Sequence, residues 1–147
     1  MKYIAYGSNM EMEPMAIRCP HAKLLGMGWL LNMTLEFYVH ATVEPAADES
    51  RVPVAVWEID EIDEQQLDEY EDYPVYYRKE EHEVQMNDGS MFSGMVYVMN
   101  EEWKRARKPW DDYYEGICMA YQRLGLREEI HTILLPALER CLQRLTM

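Results

Sequence analysis

The feature that most restricts the fold is the tetrapeptide Asn87-Asp88-Gly89-Ser90, which lies between two extended segments. Asparagine, aspartate and glycine readily adopt the backbone angles of a tight turn. Val75 to Met86 precedes the turn as an extended segment, and Met91 to Met99 follows it as a strand that is apolar on both faces. The sequence therefore predicts a β-hairpin whose second strand is buried within the protein.

Two other stretches are predicted to be buried strands. Val52 to Ile59 is rich in β-branched and aromatic residues, with Pro53 near its start, where a missing amide hydrogen is tolerated. Tyr3 to Tyr6 is short and apolar or aromatic, and it runs directly into polar residues. Both stretches are expected to contribute to the core.

Leu24 to Val39 is a long apolar segment, for which we expect a bent strand. Gly26 and Gly28 lie inside it and indicate a bulge or a close approach of another backbone. Asn32 to His40 is either a second strand or the continuation of the first. Glu44 to Arg51 has the composition of a loop.

Helical spacing appears in the remaining segments. Glu11 to Arg18 is predicted as a short helix, and a second helix, capped by Asp60 or Asp63, is predicted to end near Tyr70. We expect the second helix to pack through one face, formed by Ile62, Gln66, Leu67 and Tyr70.

The C-terminal part is predicted to form two helices after a charged loop at Asn100 to Pro109. Asp111 is expected to cap the first helix and Gly125 to end it in the left-handed conformation. The second helix carries an apolar stripe, and Pro136 predicts a kink in it. The whole pattern indicates an α+β fold on a largely antiparallel or closed sheet, as a single domain spanning residues 1–147.

Charge and composition argue against several classes of partner. The chain has 14 basic and 27 acidic residues and a net charge of -13, so we expect neither a nucleic acid nor a membrane as partner. It has no apolar run of about 18 residues and no pattern of a secretory signal. We therefore expect a cytoplasmic protein.

Cysteine and histidine are too scattered to predict a metal site. Three cysteines contain no Cys-x-x-Cys pair, and four histidines show no zinc-binding spacing. We expect no disulfide framework, no metal and no cofactor.

The first candidate binding element is the loop after the first strand, formed by Tyr6, Gly7, Ser8 and Asn9. Glycine allows a close backbone approach to a ligand, and successive amides in such a turn attract an oxyanion or a carboxylate. Ser8 and Asn9 add side-chain donors. The alternative is an ordinary turn, because this composition is common in turns.

Glu71 is the candidate catalytic residue. It lies four residues after Leu67, so it continues the buried face of the acidic helix. The negative end of the helix dipole and the neighbouring carboxylates disfavour its ionisation, which raises the pKa towards that of a general base. The alternative is a solvated acidic helix end.

Tyrosine is strongly preferred over phenylalanine, with 11 residues against 2. Hydroxyl groups where a plain ring would fill the space equally well indicate a cleft with polar partners. The alternative is that these tyrosines are amphipathic packing residues. The tyrosines considered for the cleft are Tyr6, Tyr70, Tyr73, Tyr76, Tyr77, Tyr113 and Tyr114.

Three spaced motifs together resemble the gamma-glutamylcyclotransferase family, including its AIG2-like and gamma-glutamylamine branches. They are Tyr6-Gly7-Ser8-Asn9-Met10, Leu67-Asp68-Glu69-Tyr70-Glu71 and Tyr76-Tyr77-Arg78. The segment from Tyr113 to Leu126 is similar to the C-terminal helix of the glutamyl-peptide cyclotransferases. The resemblance covers nearly the whole chain in the right order.

The resemblance implies a small mixed β-barrel flanked by helices, with Glu71 as the catalytic carboxylate. The reaction it implies is attack of the α-amine of a γ-glutamyl group on its own γ-carbonyl, which releases an amine or amino acid and 5-oxoproline. By the same analogy, Tyr77 and Tyr113 contact the substrate. Asp72 stands where many members have glycine, so the choice among glutathione-like, γ-glutamyl amino acid, γ-glutamylamine and γ-glutamyl antibiotic-intermediate substrates stays open.

The sequence is also compatible with two alternatives to an enzyme. One is a non-catalytic module that holds a small carboxylate ligand in the same cavity. The other is an acidic protein-interaction domain, which would leave the Gly7-Ser8-Asn9 loop remote from Glu71.

Overall fold

The computed structural model describes residues 1–47 and 49–147. Within these ranges, five strands close a barrel, and a separate pair of strands forms a hairpin. The barrel strands are β1 (Lys2–Ala5), β2 (Lys23–Leu31), β5 (Arg51–Glu58), β6 (Tyr77–Met86) and β7 (Met91–Met99), and the hairpin strands are β3 (Met33–Tyr38) and β4 (His40–Pro45). The barrel order is β1-β5-β2-β6-β7, closed by a parallel contact between β1 and β7, whereas the other barrel pairs are antiparallel.

Helices surround this barrel, which confirms the predicted α+β fold of a mixed barrel flanked by helices. They are α1 (Met12–Arg18), α2 (Glu61–Tyr70), α3 (Asp111–Arg123), α4 (Arg127–Glu129) and α5 (Leu135–Leu145). Short 3-10 turns occur at Ser8–Met10 and Glu101–Trp103, and a π-helical segment, Ile130–Leu134, joins α4 to α5. None of the helices in the described ranges has the length and apolar character needed to cross a bilayer.

The predicted hairpin is confirmed, with β6 and β7 paired from Tyr77 opposite Met99 to Gln85 opposite Met91. Both predicted roles of the β2 glycines are also confirmed. The register of β2 against β5 shifts between Leu24 and Gly26, where Gly26 has a φ of 147°. At Gly28 a Cβ atom would lie 2.7 Å from the carbonyl oxygen of Gln85, so the two backbones approach closely.

The prediction of one long strand from Leu24 to Val39 is wrong, and its alternative of a second strand is confirmed. β2 ends at Leu31, Asn32 turns the chain with a φ of 59°, and β3 follows. Val39 then turns the chain again with a φ of 74°. Asparagine often adopts the left-handed conformation, whereas a β-branched valine rarely does, so the second turn had no sequence signal.

The predicted loop from Glu44 to Arg51 is too long at both ends. Glu44 belongs to β4 and Arg51 to β5, because cross-strand bonding extends the two strands beyond their apolar residues. Asp48, which was included in the predicted loop, lies outside the described residues.

The predicted cap at the start of α2 is confirmed, and Asp60 and Asp63 together form a capping box. Asp60 accepts a hydrogen bond from the Asp63 amide at 2.8 Å, and Asp63 accepts one from the Asp60 amide at 3.1 Å. The predicted packing face is wrong at three of its four residues, because Leu67 is buried whereas Ile62, Gln66 and Tyr70 are exposed. Asp63, which was not predicted, is buried beside Leu67. The helix therefore packs along the line from Asp63 through Leu67 to Glu71.

The helix predicted to begin at Asp111 is confirmed as α3 and so is its predicted end, but the predicted capping role of Asp111 is wrong. Trp110 occupies the N-cap position of α3, and no side chain caps the helix. Gly125 adopts the left-handed conformation after α3, with a φ of 77°. In the last helical region, the π-helical segment ends at Leu134, two residues before Pro136, whose ring nitrogen carries no hydrogen for an α-helical bond.

Candidate active site

One cavity of about 360 Å³ opens beside the end of β1. Its wall is formed by residues from β1 and the loop after it, from the start of β4, from the end of α2, and from β6, β7 and α3. They are Tyr3, Ile4, Tyr6, Gly7, Ser8, Asn9, His40, Ala41, Tyr70, Glu71, Asp72, Tyr76, Tyr77, Tyr97 and Tyr113. The tertiary structure thus brings every site residue predicted from the sequence to one cavity, although their roles remain predictions.

Hydrogen bonds position the loop after β1 against the barrel. Its first turn closes with a hydrogen bond from the Met10 amide to the Gly7 carbonyl oxygen at 3.0 Å. The indole of Trp57 donates to the Asn9 carbonyl oxygen at 2.8 Å. A Cβ atom at Gly7 would meet no other atom within 4 Å, so the backbone there borders open space. A ligand has room to approach this backbone closely.

Asn9 is buried, and its side chain connects three elements. Its amide nitrogen donates to the Tyr3 hydroxyl at 3.0 Å, and its amide oxygen accepts from the Arg18 guanidinium at 2.7 Å. The same guanidinium lies 3.7 Å from the centroid of the Tyr70 ring. One of the two amide hydrogens of Asn9 is therefore committed to the protein, and the side chain also positions the loop.

Glu71 lies at the C-terminal end of α2, where its amide bonds to the Leu67 carbonyl oxygen at 2.9 Å. Burial raises the pKa of its carboxyl group to about 7, and the nearby positive charge of Arg18 opposes this rise. The predicted direction of the shift agrees with the structure, but the predicted cause does not. Loss of hydration, rather than repulsion from neighbouring carboxylates, favours the neutral acid.

The hydroxyl groups of the three predicted tyrosines bond to backbone atoms around the cavity. Tyr6 donates to the Tyr97 carbonyl oxygen at 2.7 Å, and Tyr77 donates to the Ala41 carbonyl oxygen at 2.6 Å. Tyr113 instead accepts from the Ala41 amide at 3.0 Å. Burial raises the pKa of all three hydroxyls, so they stay protonated. Tyr113 therefore keeps a hydrogen for another acceptor.

His40 also lines the cavity, but the sequence carried no signal for it. Its Nδ1 lies 2.8 Å from the Tyr76 hydroxyl, and its ring meets Tyr113 edge to face, with centroids 5.2 Å apart. Burial lowers its pKa, so the imidazole is neutral at neutral pH. The turn at Val39, which had no sequence signal either, determines where His40 lies.

Some of the tyrosines that the sequence suggested for the cleft line the cavity, and others do not. Tyr70 and Tyr76 line the cavity as predicted, whereas Tyr73 and Tyr114 do not belong to its described wall. Other lining residues were not singled out because they are ordinary strand and turn residues in the sequence. These residues are Tyr3, Ile4, Ala41 and Tyr97. Asp72, which was noted from the sequence because it replaces a glycine of the family, also lines the cavity.

One group of possible metal ligands among the described residues does not belong to the wall of this cavity. His21, Asp60 and Asp63 offer ligand atoms within 4.8 Å of one another. Both carboxylates are already used in the capping box of α2. Exposed acidic groups of this kind commonly occur without a metal, so the arrangement is explained by helix capping.

Comparison with known proteins defines the class to which this fold and cavity belong. The model of the family described as gamma-glutamyl cyclotransferase, AIG2-like, matches residues 3–116. The match covers most of the chain and includes the loop after β1, Glu71 and Tyr113. The chain therefore belongs to the AIG2-like gamma-glutamyl cyclotransferase family.

Solved structures agree with this membership. A protein named gamma-glutamyl cyclotransferase has a TM-score of 0.75 and 25% identity, with 90% of this chain and 85% of that chain covered. An uncharacterized protein from Homo sapiens has a TM-score of 0.78 at the same identity and coverage. An AIG2-like protein from Mus musculus, with a TM-score of 0.56, 20% identity and coverage of 69% and 80%, shares the fold. No curated protein matches the chain.

Proposed function

We propose that this protein is a γ-glutamyl cyclotransferase that converts a γ-glutamyl amide into 5-oxoproline and a free amine or amino acid. One observation carries the proposal. Glu71, whose pKa is raised to about 7, lines the same cavity as the Gly7-Ser8-Asn9 loop. A single carboxylate base beside a loop suited to carboxylate or oxyanion binding is what the reaction requires.

The reaction is an intramolecular acyl transfer. The α-amine nitrogen attacks the γ-carbonyl carbon, a new amide bond closes the five-membered ring, and the bond to the leaving nitrogen breaks. The proton lost by the α-amine equals the one gained by the leaving amine, so no water is consumed. Because both reacting groups belong to one molecule, the enzyme gains chiefly by holding them in the reactive conformation.

Glu71 acts as the general base in this proposal. The α-amine must be unprotonated when it attacks, and a carboxylate with a pKa near 7 accepts its proton at neutral pH. The neutral acid that forms then supplies the proton to the leaving nitrogen. The reaction therefore needs no metal and no cofactor from the protein.

The remaining residues bind and orient the γ-glutamyl group. The backbone amides of Gly7, Ser8 and Asn9 hold either the α-carboxylate or the oxyanion that develops on the γ-carbonyl. Tyr113 has a hydroxyl hydrogen available for the substrate, whereas the hydroxyl hydrogens of Tyr6 and Tyr77 are donated to backbone carbonyl oxygens. Those two tyrosines contact the substrate mainly through their rings.

The test is release of 5-oxoproline from a panel of γ-glutamyl amino acids, peptides and amines. Glu71→Gln is expected to lower kcat/KM by about 100-fold or more, because one general base is lost. Glu69→Gln removes the same charge from an exposed position two residues earlier and is expected to retain activity.

Circular dichroism checks that both variants are folded. Equal turnover by the Glu71 variant would remove this residue from the mechanism. Thermal stabilisation by γ-glutamyl compounds without any product would instead support the non-catalytic binding module.

A further inference from the structure

A second cavity, of about 210 Å³, lies between the strands and the C-terminal helical region. One side is formed by β3 and the start of β5, and the other side by the π-helical segment and α5. Its described wall has no residue in common with that of the candidate active site. The C-terminal side lies beyond residue 116, where the family match ends, so the matched region does not contain the whole of this cavity.

Both charged residues in the described wall of this cavity are arginines, although the chain carries a net charge of -13. The first is Arg51, whose guanidinium lies 3.8 Å from the centroid of the Trp29 ring. It has no ion-pair partner among the described residues. Stacking fixes the plane of the guanidinium and leaves the N–H groups at its edge available to a ligand.

The second arginine, Arg140, reaches the cavity from α5 and is held by β3. Its Nε lies 3.1 and 3.2 Å from the carboxylate oxygens of the buried Glu36, and its Nη2 donates to the Leu35 carbonyl oxygen at 3.0 Å. Its Nη1 bonds to no other described residue. Arg144 also pairs with Glu36, at 3.4 Å, so one carboxylate is shared by two guanidinium groups and leaves this side of the cavity positively charged.

Two threonine hydroxyls add neutral donors to the wall. Thr34 lies in β3 and Thr132 in the π-helical segment. Neither hydroxyl has a hydrogen-bond partner in the part of the chain that the structure describes. Segments of π-helix often occur at functional sites, and this one places Thr132 opposite the strands. The cavity thus combines two oriented cations with two unbonded hydroxyls.

We propose that this cavity binds a small phosphate-bearing ligand, whose oxygens accept hydrogen bonds from Arg51, Arg140 and Thr132. A phosphate monoester carries a charge of about -1.5 to -2 at neutral pH and has three strong acceptor oxygens, which suits two arginines with neighbouring hydroxyls. A single carboxylate has less charge and fewer acceptors. The acidic surface of the chain repels a polyanion, so the occupant is a small molecule rather than a nucleic acid.

The experiment follows the backbone amide signals of the isotopically labelled full chain by NMR during titration at constant ionic strength. The probes are inorganic phosphate, methyl phosphate and acetate. We expect saturable shifts of the Leu35, Arg51 and Thr132 amides with both phosphate compounds, and binding of acetate that is weaker by about tenfold. Tighter binding of methyl phosphate than of inorganic phosphate assigns the site to a monoester, and the reverse order assigns it to free phosphate.

Variants test the named contacts. Arg51→Met removes the guanidinium and keeps an apolar side chain against Trp29, and we expect it to raise the Kd for phosphate by about tenfold. Thr132→Val removes an exposed hydroxyl and is expected to raise the Kd by about threefold. The matched control is Arg105→Met, because Arg105 also lies over a tryptophan ring, that of Trp103 at 5.3 Å, but does not belong to the described wall. It should leave the Kd unchanged.

The results that overturn the proposal are distinct. Equal weakening by Arg51→Met and Arg105→Met would show that phosphate responds only to overall charge. Shifts confined to the Gly7-Ser8-Asn9 amides would place phosphate in the candidate active site instead. Acetate that binds as tightly as the phosphate compounds would refute the ligand class, and the absence of saturable shifts would refute the site. None of these measurements depends on 5-oxoproline release, so the cyclotransferase proposal is tested separately.

Discussion

The guanidinium of Arg18 donates a hydrogen bond to Oδ1 of Asn9 at 2.7 Å, and so joins α1 to the loop that lines the cavity. The same guanidinium stacks on Tyr70, the residue before Glu71. One side chain therefore connects the two parts of the candidate site. Its charge also favours the ionised form of Glu71, which is the form that accepts a proton.

Replacement of Arg18 by methionine is expected to raise the pH at which activity appears. Without the positive charge, the pKa of Glu71 rises, so the ascending limb of kcat/KM against pH moves to higher pH by about 0.5 to 1 unit. Arg123→Met is the matched control, because Arg123 pairs with Glu11 and does not belong to the described cavity wall. An ascending limb at the same pH in both variants would contradict the assigned role of Arg18.

The raised pKa of Glu71 predicts a specific dependence of stability on pH. The folded state keeps the Glu71 proton up to about pH 7, whereas the unfolded chain releases it near pH 4.5. The free energy of unfolding is therefore expected to fall as pH rises between these values, by at most about 3 kcal/mol from this group.

Urea denaturation of the wild type and of Glu71→Gln at pH 5 and pH 8 measures this effect. The difference in unfolding free energy between the two proteins should shift in favour of the variant at the higher pH, because the variant has no carboxyl group to ionise. A difference that does not depend on pH would show that Glu71 is not desolvated in the folded protein.

Gly28 and Gly116 predict opposite effects of the same substitution. A methyl group at Gly28 would lie 2.7 Å from the Gln85 carbonyl oxygen, so Gly28→Ala is expected to destabilise the protein by about 1 to 3 kcal/mol. At Gly116, inside α3, a Cβ atom meets nothing within 4 Å, and alanine should stabilise the helix by about 0.5 to 1 kcal/mol. Thermal unfolding of both variants measures these effects. If Gly28→Ala and Gly116→Ala destabilised the protein equally, the close approach of β2 and β6 at Gly28 would not explain the loss of stability.

Tyr113→Phe is expected to impair substrate turnover and, more modestly, stability. Removing the hydroxyl leaves the Ala41 amide without its acceptor, which costs about 1 kcal/mol, and also removes a donor from the cavity. We expect kcat/KM to fall by about tenfold, measured by 5-oxoproline release. Tyr114→Phe removes the same group from a residue outside the described cavity wall and should retain activity, so equal losses in both variants would indicate a general packing effect.

Local signals in the sequence were reliable where a short-range interaction decides the conformation. The turn at Asn87 to Ser90, the capping box at Asp60 and the left-handed Gly125 all depend on a few consecutive residues. The segment from Leu24 to Val39 was predicted wrongly because pairing with distant strands divides it between two sheets. Asp111 does not cap α3, whose N-cap position is occupied by Trp110.

The sequence alone determined the α+β class, the family resemblance, and the residues from the loop after β1 to Glu71 that are proposed to act on the substrate. These features are visible because periodicity, turn chemistry and motif spacing are local properties of the chain. Only the tertiary structure placed His40 and Asp72 at the same cavity. It also identified burial as the cause of the raised pKa of Glu71. Burial and the approach of distant side chains depend on how the barrel closes. Tyr3 and Tyr97, for example, lie near opposite ends of the barrel sequence and their rings meet only in the folded chain.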